Sequence, residues 1–106
     1  MASLSTHVLD TSRGTPAGGV KIDLRDSEGT RLKSMLTNAD GRVGDAIELA
    51  PGVYELVFHA GDYFHSAETP PFLGEIVVRF GVSDPQGKYH VPLLLSPYGY
   101  SVYRGS

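Results

Sequence analysis

The sequence predicts an all-β fold, a two-sheet β-sandwich of seven to eight short strands with one short helix. Two observations carry that expectation. Val20-Lys21-Ile22-Asp23-Leu24-Arg25 alternates apolar and charged residues without a fault, the period of a strand with one face in a core and one in water. Thirteen Gly and seven Pro punctuate a series of similar short runs. A length of 106 residues suits one domain, residues 1–106, with one modest core.

Leu4 to Leu9 alternates, with Leu4, Thr6 and Val8 on one face and Ser5, His7 and Leu9 on the other, as a first strand. Asp10 to Gly19 (DTSRGTPAGG) is a loop by composition. The Val20–Arg25 strand turns through Asp26 to Gly29 into Arg31 to Thr37, where Leu32, Ser34 and Leu36 oppose Arg31, Lys33 and Met35. Asn38 to Arg42 is a second turn, and its Asp40-Gly41 pair tolerates positive φ. A short edge strand fits between Gly44 and Leu49, and Pro51-Gly52 introduces the strand Val53 to Phe58. Alternation then fails: Asp62 to Glu68 has room for two helical turns with Asp62 as cap, stopped by Pro70-Pro71. Gly74 to Phe80 is a further strand, and Val82 to Lys88 a turn-rich loop. The chain ends in a hairpin of apolar Val91 to Ser96, the turn Ser96-Pro97-Tyr98-Gly99, and strand-favouring Tyr100 to Arg104.

Composition narrows the function classes. Nine scattered Lys and Arg in a chain of net charge −3 make no nucleic-acid footprint. The absence of cysteine excludes disulfides and thiolate metal sites and fits a reducing compartment. No window approaches a membrane span, and MASLSTHVLD has neither the charged nor the apolar region of a signal peptide, so a cytoplasmic protein is expected. Nothing resembles a nucleophile elbow, a phosphate loop or a carboxylate pair suited to glycosidase work.

Acid–base chemistry near neutral pH therefore falls to the histidines. Taken alone, His7 is an exposed strand histidine, and His90 is as ready to fill an interface as to react. Arg42, in Thr37-x-x-Asp40-Gly41-Arg42, is by itself a turn residue before a hairpin. His59 and His65 flank the helix and are expected to be solvated. A zinc site built from His7, His90 and one of these has no HxH or HExxH spacing behind it, so no metal is expected. Tyr63-Phe64 fits core packing.

Three segments give these residues a context. Tyr89 to Ser106 (YHVPLLLSPYGYSVYRGS), Ser5-Thr6-His7-Val8-Leu9-Asp10 and Asp40-Gly41-Arg42 together resemble the 5-hydroxyisourate hydrolases, the enzyme branch of the transthyretin family. The resemblance spans nearly the whole chain and implies a transthyretin-like sandwich assembled as a homotetramer, a dimer of dimers. It implies that His7, Arg42 and His90 are catalytic, with a water held by the two histidines attacking the ring carbonyl of 5-hydroxyisourate. The cyclic amide opens to 2-oxo-4-hydroxy-4-carboxy-5-ureidoimidazoline in urate degradation, and no cofactor is needed. Arg42 would stabilise charge developing on the ring, through a planar donor fork suited to an amide-rich substrate. Tyr103, Arg104, Gly105 and Ser106 would line the pocket across a subunit interface, Ser106 carrying the α-carboxylate. On a regular strand Tyr103 and Arg104 point to opposite faces, so both reach one ligand only if the strand ends early. Which histidine takes the proton stays open. The alternatives are a transthyretin-like carrier of small ligands, and a non-enzymatic sandwich of the adhesion or peptidase-accessory kind. The pairing of the Ser5–Val8 segment with His90 and the YRGS ending speaks against both.

Overall fold

The computed structural model describes residues 1–44, 46–66 and 69–105. Their elements are β1 (Ala2–Asp10), β2 (Thr15–Pro16), β3 (Lys21–Asp26), β4 (Arg31–Leu36), β5 (Ile47–Leu49), β6 (Gly52–His59), α1 (Ala60–Phe64), β7 (Glu75–Val82), β8 (Lys88–Leu95) and β9 (Tyr100–Val102). They form the expected sandwich. One sheet runs β2-β1-β8-β9 with β5 also on β1, and the other runs β4-β3-β6-β7. No helix among the described residues is long and apolar enough to cross a membrane.

Period-two patterning builds the core. β1 buries every second residue, from Ala2 to Asp10, and leaves Ser3, Ser5, His7 and Leu9 on the outward face. Leu4, Val8, Leu93 and Leu95 of the first sheet meet Ile22, Leu24, Leu56 and Phe58 of the second, each at most 1% exposed. Burying one such side chain fully contributes about 1.5–3 kcal/mol. The central contact is β1 with β8, a parallel pair with Ser3 opposite Lys88, Ser5 opposite His90, His7 opposite Pro92 and Asp10 opposite Leu95. Thr6, in the buried row, donates its hydroxyl to the Val91 carbonyl at 2.7 Å, so this polar group enters the core satisfied and ties the two strands.

The structure corrects the sequence expectations in several places. The Asp10–Gly19 loop contains β2, which pairs with Leu9 and Asp10, so there are nine strands among the described residues. The helix is Ala60–Phe64, and Asp62 lies in its first turn instead of capping it. Tertiary packing sets its position: Ala60 is fully buried, and the Tyr63 and Phe64 rings meet edge to face at 4.9 Å against the core. Ala67 and Glu68, expected in the helix, lie outside the described residues. On β4 only Met35, opposite Ile22, packs partly buried against the core, while Leu32 and Leu36 remain exposed on this edge strand. β7 continues to Val82 and β8 begins at Lys88, shortening the loop expected between them. His59 is not solvated. Strand pairing puts it opposite Glu75, where Nδ1 lies 3.6 Å from the Glu75 carboxylate and Nε2 lies 3.0 Å from Oδ2 of the buried Asp23.

Asp10 fastens the end of β1. Its Oδ1 accepts from Ser12 N–H (3.1 Å), Ser12 Oγ–H (2.6 Å) and Arg13 N–H (3.2 Å), and its Oδ2 accepts from Tyr63 O–H (2.8 Å). Burial alone would raise the carboxyl pKa, but these four donors outweigh it and hold it below the usual 3.8. A depressed carboxyl contributes stability that is present above its unfolded value and lost as pH falls through the folded one. Asp10→Asn, which replaces an acceptor by a donor, should lower unfolding free energy by about 1–3 kcal/mol at neutral pH. The gap to wild type should narrow below pH 3.8. Urea titrations at several pH values check both statements.

Candidate active site

The outward face of the β1–β8 pair gathers the polar residues that the core excludes. Ser5 and His7 project from β1, and His90 projects from β8 on the same face, because in-register parallel neighbours share orientation. β1 is covered on its other edge by β5 at Ala2–Leu4 and by β2 at Leu9–Asp10. Between those two, the Asn38–Arg42 turn comes in, and His7 and Arg42 form an isolated antiparallel bridge.

That turn is built to deliver Arg42. Asn38 Oδ1 accepts from the N–H groups of Asp40 (2.9 Å) and Arg42 (3.2 Å), and its own N–H donates to the Arg42 carbonyl at 2.8 Å. Thr37 anchors the approach: its buried hydroxyl donates to the Ala17 carbonyl at 2.7 Å and accepts from Val20 N–H at 2.9 Å. Gly41 has φ +75°, and its carbonyl accepts from Val8 N–H at 2.8 Å. A Cβ here would collide with the Val8 carbonyl oxygen. The turn therefore lies flat on β1 only with glycine at this position.

The two imidazoles are held differently. His7 Nε2 lies 2.8 Å from the Asp40 carbonyl oxygen, which only accepts, so Nε2 carries the proton and Nδ1 is the free nitrogen. His90 Nδ1 lies 2.8 Å from Ser5 Oγ, leaving its Nε2 free. His90 is half-buried, and its pKa is pushed below the ordinary 6.5. Burial is the main cause, followed by the Arg42 guanidinium and His7, with hydrogen bonding to the Ser5 backbone acting in the opposite direction. His90 is therefore neutral at physiological pH and within electrostatic reach of both partners.

The C-terminal residues divide. Past β9 the chain leaves strand geometry at Tyr103, so strand parity does not govern the residues beyond Val102. Gly105 returns to β8, donating its N–H to the His90 carbonyl at 2.8 Å. Arg104 turns away from the histidines: its guanidinium stacks on Tyr89 at 4.4 Å, and an Nη2–H donates to the Lys88 carbonyl at 3.4 Å. Tyr103 is exposed and, with Arg104, Phe80 and Val102, lines a separate cleft of about 250 Å³ between β7 and the chain end. The structure thus brings His7, Arg42, His90 and Gly105 together and leaves Tyr103 and Arg104 apart. Ser106 lies outside the described residues.

A family model described as the HIUase/Transthyretin family matches residues 4–105. The chain belongs to that family. 5-Hydroxyisourate hydrolase 2 of Rhizobium meliloti strain 1021 is 56% identical over 114 residues, which cover 97% of this chain and 95% of that protein. Among solved structures, Klebsiella pneumoniae 5-hydroxyisourate hydrolase aligns over all of both chains with TM-score 0.88 and 38% identity. Transthyretin from Sparus aurata aligns with TM-score 0.87 at 29% identity, covering 96% of this chain and 95% of its own. The chain also spans 44% of the length of (S)-allantoin synthase, with 99% of its own residues aligned at TM-score 0.85 and 39% identity.

Within this HIUase/Transthyretin chain, two contributors to the site carry no signal of their own in the sequence. Ser5 shares the outward parity of His7, but its contact with His90 depends on a register between strands 85 positions apart. The Asp40 carbonyl is a backbone group and leaves no trace in residue type. Gly41→Ala tests how the site is set. Forcing a non-glycine residue into this conformation should cost about 1–3 kcal/mol in a urea melt. It should also shift the His7 ring resonances, because the Asp40 carbonyl moves with the turn. A variant with unchanged stability and unchanged His7 signals would contradict the assigned packing.

Proposed function

We propose that this protein hydrolyses 5-hydroxyisourate to 2-oxo-4-hydroxy-4-carboxy-5-ureidoimidazoline, with His7, Arg42 and His90 as its catalytic residues. The observation that carries this reading is the convergence of those three side chains on one sheet face, in a chain 56% identical to a protein named for that activity. His90, neutral and with Nε2 free, suits the general base. It takes a proton from water as the water oxygen adds to the ring carbonyl carbon. The carbonyl oxygen becomes an oxyanion, and Arg42 supplies the fixed positive charge for it. When the C–N bond breaks, the imidazolium returns its proton to the leaving nitrogen, leaving a ring-opened acid. His7, its Nε2–H tied to Asp40, keeps Nδ1 to orient the water.

The pH dependence follows from the sign of the His90 shift. A base that is protonated only below its lowered pKa loses activity on the acid side, so kcat/KM should still hold at pH 6.5 and fall only at lower pH, as His90 takes up a proton. Arg42→Gln removes a charge that disfavours the imidazolium. It should move that acid limb to higher pH and lower kcat by about 100-fold through loss of oxyanion stabilisation. His7→Ala and His90→Ala should each cost at least about 100-fold. The measurement is the ultraviolet decay of freshly generated 5-hydroxyisourate across pH 5 to 8. A wild-type protein that leaves the spontaneous decay unchanged overturns the reading, and the small-ligand carrier on the same fold would then be the next to screen.

Assembly belongs to the same proposal. His7 and His90 lie on an outward sheet face, and catalysis of this kind gains from a water-excluding enclosure. A homotetramer, a dimer of dimers, would supply the second wall and bring Tyr103 and Arg104 of another copy toward the histidines. Sedimentation of an active species at tetramer mass is the expected result, and an active monomer defeats this part.

A further inference from the structure

His90 is gripped by two residues for which the proposed hydrolysis has no use. Ser5 stands opposite it in the β1–β8 register, with Oγ 2.8 Å from Nδ1. Gly105 donates its N–H to the His90 carbonyl at 2.8 Å from the other strand edge. An added Cβ at residue 105 would lie 2.5 Å from the ring Cδ2, 3.2 Å from Cγ and 3.3 Å from the His90 Cβ, so the imidazole fills the space a side chain would need. The strand beneath is held in register by its buried Val91, Leu93 and Leu95, and Thr6 adds a bond to the Val91 carbonyl one residue along.

We infer that Ser5 and Gly105 are positioning residues for His90: Ser5 Oγ accepts a hydrogen bond from Nδ1–H and so keeps Nε2 bare, while the missing side chain at Gly105 lets the ring lie against the chain end. A neutral imidazole has one donor and one acceptor nitrogen, and the bond made by one decides the state of the other. A serine hydroxyl can donate or accept, so Ser5 favours the Nδ1–H tautomer through the acceptor role assigned to it here, while Gly105 sets the ring orientation. Both must be right for Nε2 to face a water on the outward side, since misplacing a reacting group by about 1 Å can cost about 100-fold. Ser5 acts through His90, the ring nitrogen its hydroxyl meets.

The inference deepens the proposed hydrolase reading, so its test begins with a readout that needs no substrate. Long-range proton–nitrogen spectroscopy on the full chain with nitrogen-15 histidine, at a pH where His90 is neutral, should place the proton on Nδ1. In Ser5→Ala a substantial part of the signal should move to the Nε2–H form, which is the tautomer favoured by free imidazole in water. That variant should lose up to about 100-fold in kcat with KM little changed. Ser5→Thr, which keeps the hydroxyl, should restore both tautomer and rate. Gly105→Ala should shift the His90 ring resonances and lower kcat while the thermal midpoint stays near that of wild type. A wild-type proton on Nε2 overturns the assignment, and so does a Ser5→Ala protein with unchanged tautomer and rate. If wild-type protein proves inert toward 5-hydroxyisourate, the spectroscopic arms still decide the clamp.

Discussion

The parallel pairing of β1 with β8 is the constraint on which everything else rests. It joins residues 85 positions apart, and side chains alternate along both strands. A slip of one residue would turn His90 inward and bring Leu93 and Leu95 out. That slip is prevented by the core. Leu4, Val8, Val91, Leu93 and Leu95 are all buried along the inner face of this pair. At about 1.5–3 kcal/mol each, their burial far exceeds what any single hydrogen bond among the histidines contributes, typically about 1 kcal/mol net. Apolar packing therefore sets the geometry of the polar site, and the polar residues only refine it.

The outward face uses that imposed geometry in a way a stability optimum would avoid. Arg42, His7 and His90 are three cationic or protonatable groups on one patch, and their proximity disfavours charging His90. Nothing in folding requires this crowding. It has a chemical use, because burial together with these neighbouring groups keeps the imidazole a base at lower pH, and the Arg42 guanidinium among them can meet negative charge developing on a substrate. On the opposite sheet, His59 sits between Asp23 and Glu75, carboxylates of two neighbouring strands. The two environments separate the histidines into one held among cationic groups and one held between anions. This sorting does not follow from residue type.

That contrast marks the boundary of what the sequence makes legible. The strands Lys21–Asp26 and Gly52–His59 are where the pattern puts them, but as central strands they are buried on both faces in the middle: Asp23, expected in water, and Val57 are buried beside the core row of Ile22, Leu24, Leu56 and Phe58. The two-residue β2 has no period to detect, and its pairing depends on a turn that folds back on β1. The helix begins at Ala60 because Ala60, Tyr63 and Phe64 find the core, a tertiary preference that outweighs the capping propensity of Asp62. The segments around His7, Arg42 and His90 were readable as segments. Their meeting was not, because it depends on register, on the Asn38-centred turn and on the space left by Gly41 and Gly105. The position of Arg104 was equally hidden: its stacking on Tyr89 is a long-range contact between a flexible cation and a ring whose hydroxyl is itself fixed by Ser83 and Asp84 N–H groups.

The fold alone does not carry the chemistry. Sparus aurata transthyretin shares it at TM-score 0.87 with 29% identity, so most positions can change while the two sheets stay as they are. In this chain the positions least tied to the core are the outward ones on β1 and β8, where Ser5, His7 and His90 stand. Substitutions there neither open a cavity nor bury an unpaired charge, so a sandwich can exchange one outward set for another with little effect on folding. The inward row has no such freedom: even Thr6, its central polar member, is bound to the strand it faces. One strand pair thus serves two independent demands, because period-two geometry sends the residues that hold the fold and those that act on a ligand to opposite sides of the same backbone.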